Sequence, residues 1–157
     1  MILPQYDPSY DPVEHLEAMK VRLVRHTLHG HNALWVPERK LVIVDRGLRS
    51  DLTRPTLSHE CSHVENCDIG GHHPKLELRA NLHSALRLIN PIAWNELTPH
   101  TSCYDTLCLE LGITRRQFLA YVDYRKGLQK SGAVRIGDTV YGDSKMGASQ
   151  WSMKVSA

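Results

Sequence analysis

His59-Glu60-Cys61-Ser62-His63 decides how this 157-residue chain is read. Residues four apart share one side of an α-helix, so on a helix His59 and His63 aim their imidazoles at one point. Two neutral imidazoles at that spacing suit a zinc ion. Glu60 follows the first of them and is placed to take a proton from a metal-activated water rather than to bind the metal. The pattern has this meaning only on a helix. Ser50, Asp51 and Thr53 are N-cap candidates, and Pro55 fits a first turn. Leu52, Thr56, Cys61 and Val64 can pack inward beside the histidines. Asn66, Asp68, Gly70 and Gly71 predict the helix end. The plain alternative is an ordinary amphipathic helix with two surface histidines.

The next segment discriminates. Lys75 to Ile89 is free of Gly and Pro and stops at Asn90-Pro91, which predicts a helix. Glu77, Ala80, Asn81, Ser84, Ala85 and Leu88 form one face, mostly of small residues that let another helix approach. Leu78, Leu82, Leu86 and Ile89 form a neighbouring apolar face for the core. Glu77, in the first turn, can reach a metal held by the preceding helix, giving a site of two His and one Glu. It also suits the positive end of its own helix without any metal.

The segment Thr56-Leu57-Ser58-His59-Glu60-Cys61-Ser62-His63, followed by Glu77-x-x-Ala80-Asn81 and Leu88-Ile89-Asn90-Pro91, resembles the ImmA/IrrE family of metallopeptidases. Upstream, Leu34-Trp35-Val36-Pro37 and Leu41-Val42-Ile43-Val44-Asp45 are similar to the strand pair before that family's active helix. The resemblance covers about residues 10 to 95. It implies one zinc per chain held by His59, His63 and Glu77, with Glu60 as general base. Ser62 stands where Gly is common, and Cys61 where an aliphatic residue is usual. The resemblance also implies that an edge strand beside the active helix pairs with an extended substrate.

The metzincin extension, which needs Gly and His beyond the second ligand, meets Asn66 and Ile69 here and is excluded. His72 and His73 offer an all-histidine site as the alternative to Glu77. In the expected chemistry zinc makes a water acidic, and Glu60 takes its proton as the water attacks a peptide carbonyl. His72, His73, His83 and Tyr104 are candidates for stabilising the oxyanion. Asp45 and Asn81 are candidates for orienting the ligand imidazoles.

Composition agrees with one compact cytoplasmic domain, the element order reads as α+β, and the resemblance implies a small zincin-like architecture. The chain is long enough to bury a core without disulfides and has no secretory or membrane-length apolar run. Cys61, Cys67, Cys103 and Cys108 lack C-x-x-C spacing and read as reduced thiols. A structural zinc site on Cys61 and Cys67 has poor spacing. A formal net charge of +2 gives no argument for nucleic-acid binding.

The expected organisation is an extended arm over 1–12, a metallopeptidase core over 13–98, a helical extension over 99–127 and a tail over 128–157. Val13 to about Leu28 reads as an amphipathic helix, and Ala33–Val36 with Lys40–Asp45 as an antiparallel hairpin. Helices are expected over Ile92–Leu97, Tyr104–Leu111 and Thr114 to about Lys126. Residues 107–118 resemble the turn of a helix-turn-helix, with Thr114 as cap and Arg115 and Arg116 in the first turn of the second helix. Direct DNA binding through residues 107–126 is therefore an alternative. In the tail, Ala133–Ile136 and Thr139–Tyr141 suggest a small hairpin, with Trp151 and Met153 docking on the core.

Three functions remain. The favoured one is a zinc endopeptidase that cuts a regulatory protein; the resemblance implies a helix-turn-helix repressor of a phage, mobile element or stress operon. The others are a DNA-binding or repressor-interacting regulator with a structural or vestigial zinc, and a peptidase-like toxin or effector.

Overall fold

The structure, a computed structural model, describes residues 2–69 and 73–130 and the strands at 134–136 and 139–141. Among the described residues the fold is α+β, with six α-helices, a three-stranded sheet and a two-stranded one. The chain falls into two units, residues 1–120 and 121–157.

Helix α1 spans Pro12–Ala18, and the Asp11 carboxylate caps it by accepting from the Val13 N–H at 2.7 Å. The single helix expected to run to about Leu28 ends here. Lys20 takes a left-handed backbone (φ +59). Its N–H bonds to the Glu17 carbonyl and the Val21 N–H to the Leu16 carbonyl, both at 2.9 Å. Leu16 and Val21 are buried in the same core cluster. This is a Schellman stop closed by its apolar contact. The chain then leaves as strand β1, Arg22–His26.

Strands β2 (Ala33–Val36) and β3 (Leu41–Asp45) pair antiparallel as expected, Trp35 opposite Val42. A 3-10 turn over Pro37–Arg39 and a left-handed Lys40 join them. β1 lies on the other side of β3, parallel to it, with Val24 opposite Ile43. The sheet is therefore mixed rather than antiparallel, in the order β1-β3-β2. The central strand is the most buried, with Val42 and Val44 fully enclosed.

Helix α2 spans Ser50–Glu65. It begins earlier than Pro55 implied, so that proline sits inside the helix. Ser50, Asp51 and Thr53 lie within the helix too, and Arg49 is an N-cap whose side chain pairs with Asp51 instead of capping. The Asp51 carbonyl, deprived of a donor by Pro55, belongs to an exposed residue of the first turn that water can reach. Leu57, Cys61 and Val64 join Leu16, Val42 and Val44 in the core.

Helix α3 (Pro74–Leu88) starts with His73 as N-cap and packs along α2. Ala80, Ser84 and Ala85 of its small face are fully buried. Leu78, expected in the core, is 64% exposed, whereas His83 is buried. Asn90 caps α4 (Pro91–Leu97), and α5 spans Tyr104–Leu111. Gly112 ends α5 in left-handed backbone (φ +65), and α6 runs Arg115–Lys130. The Phe118 ring meets Trp94 at 5.0 Å and the Tyr104 ring edge-on at 5.3 Å.

In the second unit, Arg125 lies 5.9 Å from the Tyr121 ring centre. The expected small hairpin is present as β4 (Val134–Ile136) and β5 (Thr139–Tyr141), with Ile136 opposite Thr139. Trp151 and Met153 lie outside the described residues. Among the described residues, no helix is long and apolar enough to cross a membrane.

Candidate metal centre

The close packing of α2 and α3 brings His59, His63 and Glu77 together. The two Nε2 atoms are 3.0 Å apart. One Glu77 oxygen lies 3.3 Å from His59 Nε2, and the other lies 3.3 Å from His63 Nε2. A tetrahedral zinc with ligands at about 2.0–2.1 Å sets its donor atoms roughly 3.3–3.4 Å apart, close to these separations. The three side chains can therefore hold one metal ion, and among the described residues they are the group of this kind.

The ring of His63 is held from behind. Its Nδ1 lies 2.8 Å from an Asp68 carboxylate oxygen, and Arg79 of α3 binds the other oxygen. Trp35 of β2 donates its indole N–H to the Asp68 carbonyl at 3.2 Å. Burial alone would raise the Asp68 carboxyl. Hydrogen bonds from Arg79 and His63, with the charge of Arg79, outweigh it and hold that carboxyl below its ordinary value.

Asp45, a sequence candidate for orienting the ligands, is engaged elsewhere. Its carboxylate accepts from the Leu28 N–H at 2.7 Å and the Gly47 N–H at 2.9 Å, closing the loop after β3. Asn81 lines the cleft with Glu77.

Glu60 is only 7% exposed. With His59 and Glu77 it lines a cavity of about 1090 Å³. Asn32 and Ala33 at the start of β2, and Arg115 and Arg116 in the first turn of α6, form other parts of its wall.

The four oxyanion candidates fare differently. His83 is buried, with Nδ1 3.4 Å from the Ser62 hydroxyl. Burial, then the charges of Arg87 and Arg79, lower its pKa. Tyr104 packs against Phe118 beneath the Arg115 guanidinium. Neither is among the cavity-lining residues. His73 is exposed, and its ring nitrogen accepts from the Lys75 N–H at 3.3 Å as the α3 cap. His72 lies outside the described residues.

Sequence reading passed over His31, which lines the cavity. It also passed over Arg79 and the contact of Asp68 with His63. An acid five residues beyond the second histidine is the only signal for the latter.

The cysteines do not join this site. Cys61 is buried, its thiol is pushed up to about 12 by that burial, and it donates to the Pro12 carbonyl at 3.4 Å. Cys67 and Cys103 are exposed, and all four thiols are free. At the far end of α2, His15 and Arg87 both contact Glu65. Burial opposes its ionisation, yet hydrogen bonds from His15 and Arg87 outweigh it and hold Glu65 at about 2.

Set against known proteins, the chain matches no family model and no curated protein.

Proposed function

We propose that the protein is a zinc-dependent endopeptidase that cuts a particular regulatory protein. The observation that carries this reading is the placement of Glu60. A nearly buried carboxylate lies beside three convergent donors, at the wall of a cleft with room for a polypeptide. A purely structural metal site has no need of it. The donor set of two imidazoles and one carboxylate favours zinc and leaves a fourth position open.

When bound, zinc supplies Lewis acidity to a water and to the scissile carbonyl. Glu60 takes the proton of that water and later returns it to the leaving amine nitrogen. His59, His63 and Glu77 would hold the ion. The edge of β2 beside the cleft, unpaired among the described residues, would take the substrate backbone as an added strand.

The resemblance of α2 and α3 to ImmA/IrrE metallopeptidases supports a helix-turn-helix repressor as substrate. The free thiols support a cytoplasmic setting. A DNA-binding role for α5 and α6 is less favoured, because Arg115 and Arg116 border the same cleft as Glu60.

Zinc per chain after exhaustive dialysis tests the metal assignment. The wild type should retain about one ion and Glu77→Ala clearly less. Full retention in Glu77→Ala would remove Glu77 from the ligand set. A folded wild type that takes up no zinc would overturn the enzyme reading.

A further inference from the structure

We propose that Asp68 is the residue that positions His63 for the metal, and that the turn ending α2 exists to put it there. This rests on the zinc reading above.

The geometry of the turn carries the inference. Asn66 is the last residue of the helix cap, and Cys67 follows with φ +53, a left-handed backbone unusual for a residue with a side chain. The Cys67 N–H bonds to the Val64 carbonyl and the Asp68 N–H to the His63 carbonyl, both at 3.0 Å. That pair of bonds is a Schellman motif, in which the residue after the left-handed one is set against the residue five before it. In α1 the same geometry closes with an apolar contact, Val21 on Leu16. In α2 the corresponding pair is Asp68 and His63, and the contact is a 2.8 Å hydrogen bond to the ring.

That bond has a chemical consequence. With Nδ1–H donated to the carboxylate, the lone pair of His63 resides on Nε2, the atom facing His59 and Glu77. The carboxylate is itself immobilised, because Arg79 binds its second oxygen. Glu77 and Arg79 stand two residues apart on α3, so the docking of one helix delivers both the third donor and the clamp on Asp68. The Trp35 bond goes to the Asp68 backbone and survives any change of side chain. Truncation at position 68 therefore removes the hold on His63 while keeping the loop anchored.

The test is zinc affinity of the full chain, by chelator competition, in wild type, Asp68→Ala, Asp68→Asn and Ile69→Thr. Ile69 is a neighbour on the same loop, 74% exposed, and serves as control. Asp68→Ala should bind zinc about 10- to 100-fold more weakly, the range for loss of such a partner. Asp68→Asn keeps an acceptor and should fall between, while Ile69→Thr should match the wild type. The visible absorption of the cobalt-loaded protein should change in Asp68→Ala and not in Ile69→Thr, a signature of altered ligand geometry rather than of general loosening. If Asp68→Ala does not fold, Asp68→Asn decides by the same two readouts. Wild-type affinity and spectrum in the folded Asp68 variants would overturn the positioning role and leave the zinc reading standing. Absence of zinc binding by the wild type itself would overturn both.

Discussion

The side-chain amide of Gln117 donates to the Pro55 carbonyl at 2.8 Å, tying the first turn of α6 to α2. Gln117 is wholly buried, yet its hydrogen-bonding groups are engaged. Its nitrogen also reaches the Ser84 hydroxyl of α3, and its oxygen accepts from the Thr114 N–H, each at 2.8 Å. Thr114 returns a bond to the Gln117 N–H at 3.3 Å, which completes a capping box. One side chain thus links the helices that carry His59, His63 and Glu77 and opens a third. Gln117→Ala should cost about 3 kcal/mol, since it empties a buried site and strands polar partners there. Denaturant unfolding measures this. A loss below about 0.5 kcal/mol, the level of an ordinary surface change, would contradict it.

On the proposed mechanism, Glu60→Gln removes the base without removing a metal donor. It should retain zinc like the wild type and lose cleavage of the true substrate by about 10²- to 10⁴-fold. Undiminished cleavage would exclude Glu60 as the base.

His83 sets a pH dependence. Burial and the charges of Arg87 and Arg79 lower its pKa from 6.5 in the fold, with Glu65 opposing them. The unfolded chain therefore binds a proton more readily than the folded one. Its contribution is fully present above about pH 6.5 and is lost as pH falls through the depressed folded value. The stability difference between wild type and His83→Asn should shift against the wild type on going from pH 7 to pH 5. The slope should not exceed about 1.4 kcal/mol per pH unit. A difference independent of pH would show that His83 titrates alike in both states.

Cys67→Gly should stabilise the protein by about 1 kcal/mol, because glycine adopts left-handed backbone without a Cβ penalty. The side chain it removes is exposed. Thermal melting of the metal-free variant is the direct measurement, and a lowered Tm would mean that the thiol makes a contact worth more than the strain.

The donors of the metal site are legible in the sequence because a helix converts spacing directly into direction. His59 and His63 need only α2 to form, and Glu77 needs only a small-faced α3 beside it. What the sequence conceals is where α1 stops. Gly112 announces the end of α5, and Asn66 and Asp68 mark that of α2, whereas the left-handed position after α1 is Lys20, which carries no turn signal. For that reason β1 reads as a continuation of α1, and its parallel pairing with the distant β3 is invisible locally.

The rotation of α3 is hidden for a similar reason. Ser84 and Gln117 help anchor its buried side, so polar His83 is enclosed and Leu78 faces out. Composition ranks these two residues the other way.

The two rims of the sheet are unlike. β1 presents Arg22, Arg25 and His26 as exposed residues, side chains that discourage another strand from adding there. β2 is Ala-Leu-Trp-Val, without a charge, and among the described residues it pairs on one side only. A three-stranded sheet guarded on one flank and bare on the other steers any added strand to β2, whether from another protein or from a further copy of this one. A peptide that adds along β2 should accordingly act twice, slowing the proposed peptidase and suppressing self-association.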